Sequence, residues 1–266
     1  MATLKLSHVT KTFNRGTVTE KRALTNVSLD LVDGDFVTVI GGNGAGKSTL
    51  LNMVAGVYPL DSGTVTLGKT DISRLSEPKR ARYLGRVFQD PMLGTASDLQ
   101  IEENLALAKR RGKKRSLAWG VTKQEREEYP RLLAELDLGL ESRMSSKVGL
   151  LSGGQRQALT LLMATLTNPE LLLLDEHTAA LDPKTAKKVL DLTQRIVGER
   201  KLTTIMVTHN MTDAIRLGNR LIMMHEGTII YDASGAEKHT LTVPDLLQKF
   251  EEVSGGEFAN DRMLLS

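Results

Sequence analysis

Residues 41–48 read Gly41-Gly42-Asn43-Gly44-Ala45-Gly46-Lys47-Ser48 and fit the spacing G-x-x-x-x-G-K-[ST]. No other feature of this 266-residue chain limits its fold as tightly. Before it, Asp33-Gly34 turns into Phe36-Val37-Thr38-Val39-Ile40, a β-branched run that reads as a buried strand. After it, Ser48-Thr49-Leu50-Leu51-Asn52-Met53-Val54-Ala55 reads as a helix. Strand, glycine-rich loop and helix in that order make a cradle for an anion. Glycines let backbone N–H groups curl around it, and the helix N-terminus adds its positive dipole end. Lys47 is then placed to reach the outer phosphates of a nucleoside triphosphate, and Ser48 to offer its hydroxyl to Mg²⁺.

A second apolar run, Leu171-Leu172-Leu173-Leu174, ends in Asp175-Glu176. A helix is predicted over 183–197 and a further strand over 203–208. Strand, helix, strand at this spacing is a βαβ unit and implies a parallel sheet. Open sheets of this kind bind ligands beyond the carboxyl ends of their strands, and alternation puts the two carboxylates there on opposite faces. Asp175 is expected to hold Mg²⁺ through water, and Glu176 to polarise or deprotonate the water that attacks the γ-phosphorus. Met206-Val207-Thr208-His209 repeats the arrangement, with His209 able to donate a hydrogen bond to the γ-phosphate or the attacking water. The other four histidines (His8, His177, His225 and His239) read as structural.

Elsewhere the first 35 residues read as short strands and turns, with a turn at Asn14-Arg15-Gly16. Helices are predicted over 99–111, 123–138, 155–166 (stopped by Asn168-Pro169) and 244–253. The helix at 155 follows Leu151-Ser152-Gly153-Gly154-Gln155, in which Ser152 can cap while the glycines expose backbone N–H groups. Taken alone, that segment is an ordinary capped helix.

Composition narrows the class. With no cysteine there is no disulfide scaffold, thiolate-bound zinc or thiol nucleophile. A net charge of +3 is too weak to argue for nucleic acid. No apolar run approaches the ~18–20 residues that span a bilayer, and the N-terminus lacks the apolar stretch of a signal peptide. The expectation is a soluble intracellular protein whose work at a membrane, if any, needs another chain.

In order along the chain, Phe13, residues 41–49, Gln89, Leu151-Ser152-Gly153-Gly154-Gln155, Asp175-Glu176, Ala180-Leu181-Asp182 and His209 resemble the ordered motif set of ATP-binding cassette (ABC) transporter nucleotide-binding subunits. The resemblance covers roughly residues 3–235. It implies an α/β P-loop NTPase fold with a RecA-like parallel-sheet core, an N-terminal antiparallel β subdomain and an inserted helical subdomain. In that scheme residues 1–92 and 159–235 form the ATP-binding core, 93–158 the helical subdomain with the signature, and 236–266 a C-terminal helix and tail.

The resemblance also implies roles. Phe13 stacks on adenine; Gly41, Gly42, Asn43, Gly44, Ala45, Gly46, Lys47, Ser48 and Thr49 hold the phosphates of ATP. Mg²⁺ is held by Ser48, Gln89 and Asp175, with Gln89 also touching the attacking water. Glu176, His209, Lys47 and Gln89 form the catalytic set. Ser152, Gly153, Gly154, Gln155 and Asp182 serve the nucleotide bound to an opposite subunit. A chain with one phosphate loop and one signature is therefore half of each of two sites. The implied partners are a second copy of itself or a similar ATPase subunit, an integral membrane permease and an extracytoplasmic substrate-binding protein, but no nucleic acid. The implied location is the cytoplasmic face of the cell membrane.

The segment from Asp175 to Ala186 is similar to ATPase subunits of amino-acid importers, including ones for tryptophan or tyrosine. Asp71-Ile72-Ser73-Arg74-Leu75-Ser76 also resembles exporters and lipoprotein-releasing systems, and a soluble cassette of a cytosolic assembly machine is a further alternative. His177 departs from the family pattern, in which many relatives have proline, and reads as a substituted turn residue. The run Lys109-Arg110-Arg111-Gly112-Lys113-Lys114-Arg115 reads as a solvated loop, with attraction to anionic lipid as the sharper possibility.

Overall fold

The computed structural model describes residues 2–113 and 120–254, and these divide into two compact units. One takes Met1–Arg80 with Lys201–Ser266, the other Ala81–Arg200. The helical segment expected over 93–158 lies inside the second.

The first unit begins with β1 (Ala2–Phe13) and β2 (Lys21–Val32), joined by the turn at Asn14-Arg15-Gly16. It continues through β3 (Phe36–Ile40), α1 (Lys47–Ala55), β4 (Ser62–Leu67), β5 (Thr70–Asp71) and α2 (Glu77–Arg80). Antiparallel pairing gives a sheet in the order β2-β1-β4-β5. Sequence alternation is clear only at Leu4 and Leu6 because the register then breaks. His8 and Asn26 both adopt left-handed backbone at that break, with His8 Nδ1 2.8 Å from Asn26 Oδ1. Pairing resumes at Val9, so each strand runs twelve residues.

The second unit contains β6 (Leu84–Val87), α3 (Ile101–Lys109), α4 (Lys123–Ala134), a 3₁₀ turn at Val148–Leu150, α5 (Gly153–Thr165), β7 (Leu171–Asp175) and α6 (Pro183–Arg200). β6 and β7 pair in parallel, with Val87 opposite Leu174. α4 ends four residues short of the expected limit, although Leu136 beyond it is still buried. α3 and α4 are tied by three ion pairs, Lys109–Glu128, Arg110–Glu125 and Arg126–Glu102. Arg111 donates to the carbonyl of Ala164 and to Thr167 Oγ1 at the end of α5. The first three cations of the basic run thus have partners within this unit, with Lys109 and Arg110 remaining partly exposed. Lys114 and Arg115 lie outside the described residues.

Burial alone would raise the Glu125 carboxyl, but the Thr122 backbone N–H and the Arg110 guanidinium outweigh it and hold it down at about 2. Its contribution to stability is complete above the ordinary value of 4.5 and is lost as pH falls from there towards 2. Glu125→Gln is expected to cost about 1–2 kcal/mol near neutral pH and to flatten that acid limb. Urea unfolding at a series of pH values checks this, and an unchanged acid limb would contradict it.

The chain returns to the first unit through β8 (Thr204–Val207), α7 (Met211–Arg216), β9 (Arg220–His225), β10 (Thr228–Ser234), α8 (Gly235–Thr240) and α9 (Val243–Ser254). β3 pairs in parallel with both β8 and β9, and β10 adds to β9 antiparallel. All five residues of β3 are buried, as a strand between two parallel neighbours requires. α9 closes the core, where Leu246 and Phe250 pack with Ile40, Met211, Ala214, Leu221 and Met223.

Candidate functional site

The sequence-predicted residues fall into two sets, one in each unit. In the first unit, the chain leaves β3 at Gly41, where a Cβ would stand 2.3 Å from the carbonyl oxygen of Met224. At Gly46, the N-cap of α1, φ is +100° and a Cβ would meet the Ala23 carbonyl at 2.5 Å. Only glycine fits either position. The loop between them carries Gly42, Asn43, Gly44 and Ala45 in a turn closed by the Ala45 N–H on the Gly42 carbonyl. Lys47 is 7% exposed, and its ammonium donates to the Gly41 and Gly42 carbonyls at 2.7 and 3.1 Å. Ser48 and Thr49 follow in the first turn of α1. The geometry is a cation folded over an amide-lined loop at a helix start, which suits an anion of several phosphates.

Three neighbours complete this set. Phe13 ends β1 partly exposed, with Tyr58 edge-on at 5.1 Å and the Lys11 ammonium 5.5 Å from its ring. Lys21 Nζ lies 3.1 Å from where a Cβ on Gly44 would stand, a second cation at the loop that no sequence pattern marks. His209 is exposed on the turn after β8, where Asn210 caps α7 by accepting from the Asp213 N–H.

In the second unit, parallel pairing of β6 with β7 carries the chain from Val87 to Gln89 beside the end of β7. The Gln89 amide donates to Glu176 Oε2 at 3.3 Å, joining two predicted residues 87 positions apart. Asp175 is the last residue of β7 and is half-buried. Glu176 has already left the strand, with φ at +43°, so the two carboxylates are set apart by a left-handed turn and not by strand alternation. The Ala179 N–H donates to the Glu176 carbonyl at 3.0 Å and closes that turn.

Ser152 caps α5, accepting from the Gln155 N–H at 3.3 Å, while Gln155 Oε1 accepts from the Ser152 N–H at 3.2 Å. A Cβ on Gly154 would fall 2.2 Å from Thr185 Cγ2, and one on Gly153 3.2 Å from Leu181 Cδ2. The glycines thus let the start of α5 approach the start of α6. Ser152, Gly154 and Gln155 border a cavity of about 660 Å³, which leaves that helix start accessible. Asp182 accepts from the Thr185 N–H at 3.1 Å, and hydrogen bonds from Thr185 hold its carboxyl below the usual range.

His177, read from sequence as a turn residue, is in that turn but only 2% exposed. Its Nε2 lies 3.0 Å from Thr193 Oγ1 in α6, and burial pushes the imidazole down to about 4, so it is neutral near pH 7. No local pattern reveals this, because the partner is 16 residues away on a separate helix.

Within the second unit, the amide oxygen of Gln89 and the carboxylate of Asp175 are hard oxygen donors, as is the hydroxyl of Ser48 within the first. That chemistry fits Mg²⁺ arriving with phosphates and keeping waters, better than a softer metal.

Comparison with known proteins gives the same family. The ABC transporter family profile matches residues 24–179. The chain is 45% identical to a tyrosine transport ATP-binding protein of Clostridioides difficile over 93% of this chain and 98% of that one. It is 34% identical to a phosphonates import ATP-binding protein, PhnC 1, of Haloquadratum walsbyi over 92% of this chain and 77% of that one. Among solved structures, the ATP-binding cassette MJ0796, dimeric and bound to ADP and Pi, superposes with a TM-score of 0.74 at 30% identity, covering 87% and 98% of the two chains. MJ1267 in its ADP conformation gives 0.77 at 26% identity, covering 94% and 98%. With the phosphate loop on β3, the acidic end of β7 and the capped signature helix in place, the chain belongs to the ABC transporter family as one of its ATP-hydrolysing cassettes.

Proposed function

We propose that the chain is the ATPase subunit of an importer for an aromatic amino acid, driving a separate membrane permease. The observation that carries the hydrolytic part is the meeting of Gln89 and Glu176 at the end of β7. Support for the substrate class comes from the likeness to the tyrosine transport protein. Among the described residues no helix is long and apolar enough to cross a membrane, so a second chain would provide the path. A substrate-binding protein outside the membrane would deliver the amino acid, and the cassette would sit on the cytoplasmic face. Residues 93–158 would serve as its helical subdomain.

In this reading ATP sits on residues 41–49, with Phe13 against adenine and Lys47 on the β- and γ-phosphates. Lys47 trades its two loop carbonyls for phosphate oxygens, so its charge is held in place before the nucleotide arrives. Mg²⁺, held by Ser48, Gln89 and, through water, Asp175, would neutralise phosphate charge. Glu176 takes a proton from water as its oxygen bonds to the γ-phosphorus and the bond to the β-bridging oxygen breaks. Gln89 orients that carboxylate through the hydrogen bond it already makes, and His209 donates to the γ-phosphate. Ser152, Gly153, Gly154, Gln155 and Asp182 act on the nucleotide of a second copy, so two chains close on two ATP molecules.

Purification of the tagged chain from detergent-solubilised cells tests the transport part. An integral membrane protein is expected to come with it, and loss of the chain is expected to slow uptake of labelled tyrosine or tryptophan several-fold. A partner recovered only from the soluble fraction, with uptake undisturbed, would contradict the proposal.

A further inference from the structure

We propose that His177 is a positioning residue for hydrolysis, fixing the backbone turn that aims Glu176 by a buried hydrogen bond to Thr193 of α6. The inference rests on Glu176 being the general base.

Thr193 has one hydroxyl proton, and it is donated to the Val189 carbonyl at 2.8 Å within α6. Thr193 Oγ1 therefore accepts from the ring, and His177 carries its proton on Nε2. The ring is 2% exposed, so the bond is a fixed, directional one inside the unit.

Leu174 and Asp175 are fixed in β7, where Leu171, Leu172, Leu173 and Leu174 are wholly buried and paired with β6. His177 is fixed on α6 at the helix face that also buries Val189, Leu190 and Ile196. Glu176 is the single residue between these anchors and opens, in a left-handed conformation, the turn that runs on through Ala180. For a residue with a side chain that conformation is unfavourable and persists only where its surroundings hold it. The Ala179 N–H on the Glu176 carbonyl closes the turn, but a four-residue turn does not set the φ of its first residue. The anchor after Glu176 does. Released, Glu176 would relax towards ordinary backbone angles and swing its carboxylate away from Gln89. A displacement of about 1 Å at a reacting group is enough to cost up to ~100-fold in rate.

The test uses the purified full chain and steady-state Mg-ATP hydrolysis, with thermal melting alongside. Thr193→Val exchanges the accepting hydroxyl for a methyl and leaves the volume unchanged. It is expected to lower kcat about tenfold with KM for ATP within twofold. His177→Leu should do the same, the double variant should be no slower than the slower single one, and His177→Gln, which keeps an N–H at similar reach, should recover most of the rate. Wild-type kcat in Thr193→Val, whatever its melting temperature, would overturn the proposal, because a merely structural bond would change stability and not turnover. Thr193→Val keeps the test decisive if His177→Leu does not fold. Glu176→Gln is measured in parallel. If it hydrolyses ATP normally, the reading of Glu176 falls and the proposal with it; if it is inactive while Thr193→Val is not, only the proposal falls.

Discussion

Glu176→Gln is expected to hydrolyse ATP about 10²- to 10⁴-fold more slowly than the wild-type chain while binding ATP undiminished. The substitution keeps the shape of the side chain and its hydrogen-bonding partner, since Gln89 can still donate to an amide oxygen. What it removes is a group able to take a proton from water. Because that group is needed only as the transition state forms, the loss should appear in kcat with little change in KM. Single-turnover hydrolysis separates the two quantities. A Glu176→Gln chain with the normal rate would mean that the base lies elsewhere.

The second large effect concerns stability. Arg80→Met is expected to cost about 3 kcal/mol and to lower the melting temperature by roughly 6–12 °C, at ~2–4 °C per kcal/mol for a chain of this size. Arg80 is 1% exposed, and its guanidinium donates to the carbonyls of Met53 and Val54 at 2.7 and 2.9 Å, of Leu75 at 2.9 Å and of Ser73 at 3.0 Å. Two of these are carbonyls of the last turn of α1, that of Met53 shared with the Gly56 N–H, and a cation also suits the negative end of the helix dipole. Gly56 caps the same helix with φ at +86°, and a Cβ there would stand 2.8 Å from Arg80 Nε, so the close approach needs both residues. Burial draws the guanidinium down from its ordinary value, yet the four carbonyls keep it paired. Methionine matches its length and apolar stem but takes the guanidinium donors from all four carbonyls in the interior, that of Met53 keeping the Gly56 N–H. Thermal unfolding checks the figure; a change below about 1 kcal/mol would show that water replaces the guanidinium freely.

The phosphate loop, β3, β7 and α6 were legible in the sequence because local pattern and tertiary role agree there. Val37, Val39 and Ile40 are apolar and β-branched because both faces of β3 are covered, and the glycines of the loop are forced by backbone contacts that no side chain could share. β6 was not legible: Leu84-Gly85-Arg86-Val87 is four residues long and carries glycine, because a Cβ at Gly85 would strike the Ala164 carbonyl at 2.5 Å. β9 and β10 were missed for a related reason, since their pairing with β3 and with each other fixes them as strands.

The candidate site divides the same way. Residue types and order mark Lys47, Asp175, Glu176 and Ser152, since their chemistry depends on what they are. Local order does not mark what depends on a distant partner: Arg80 reaching the end of α1, Lys21 over the loop, His177 bound to Thr193 and Arg111 at the end of α5. Each reads as an ordinary surface or turn residue until the fold supplies its neighbour. The left-handed angle at Glu176 is of that kind too, and it is why alternation misplaced the carboxylate.

In the proposed function one chain holds half of each of two ATP sites. The mass of Glu176→Gln in solution, measured by light scattering on a size-exclusion column with and without saturating Mg-ATP, tests it most directly. A species of 29.2 kDa is expected without nucleotide and one of twice that mass with ATP. A chain that binds ATP stoichiometrically and stays at 29.2 kDa would contradict it.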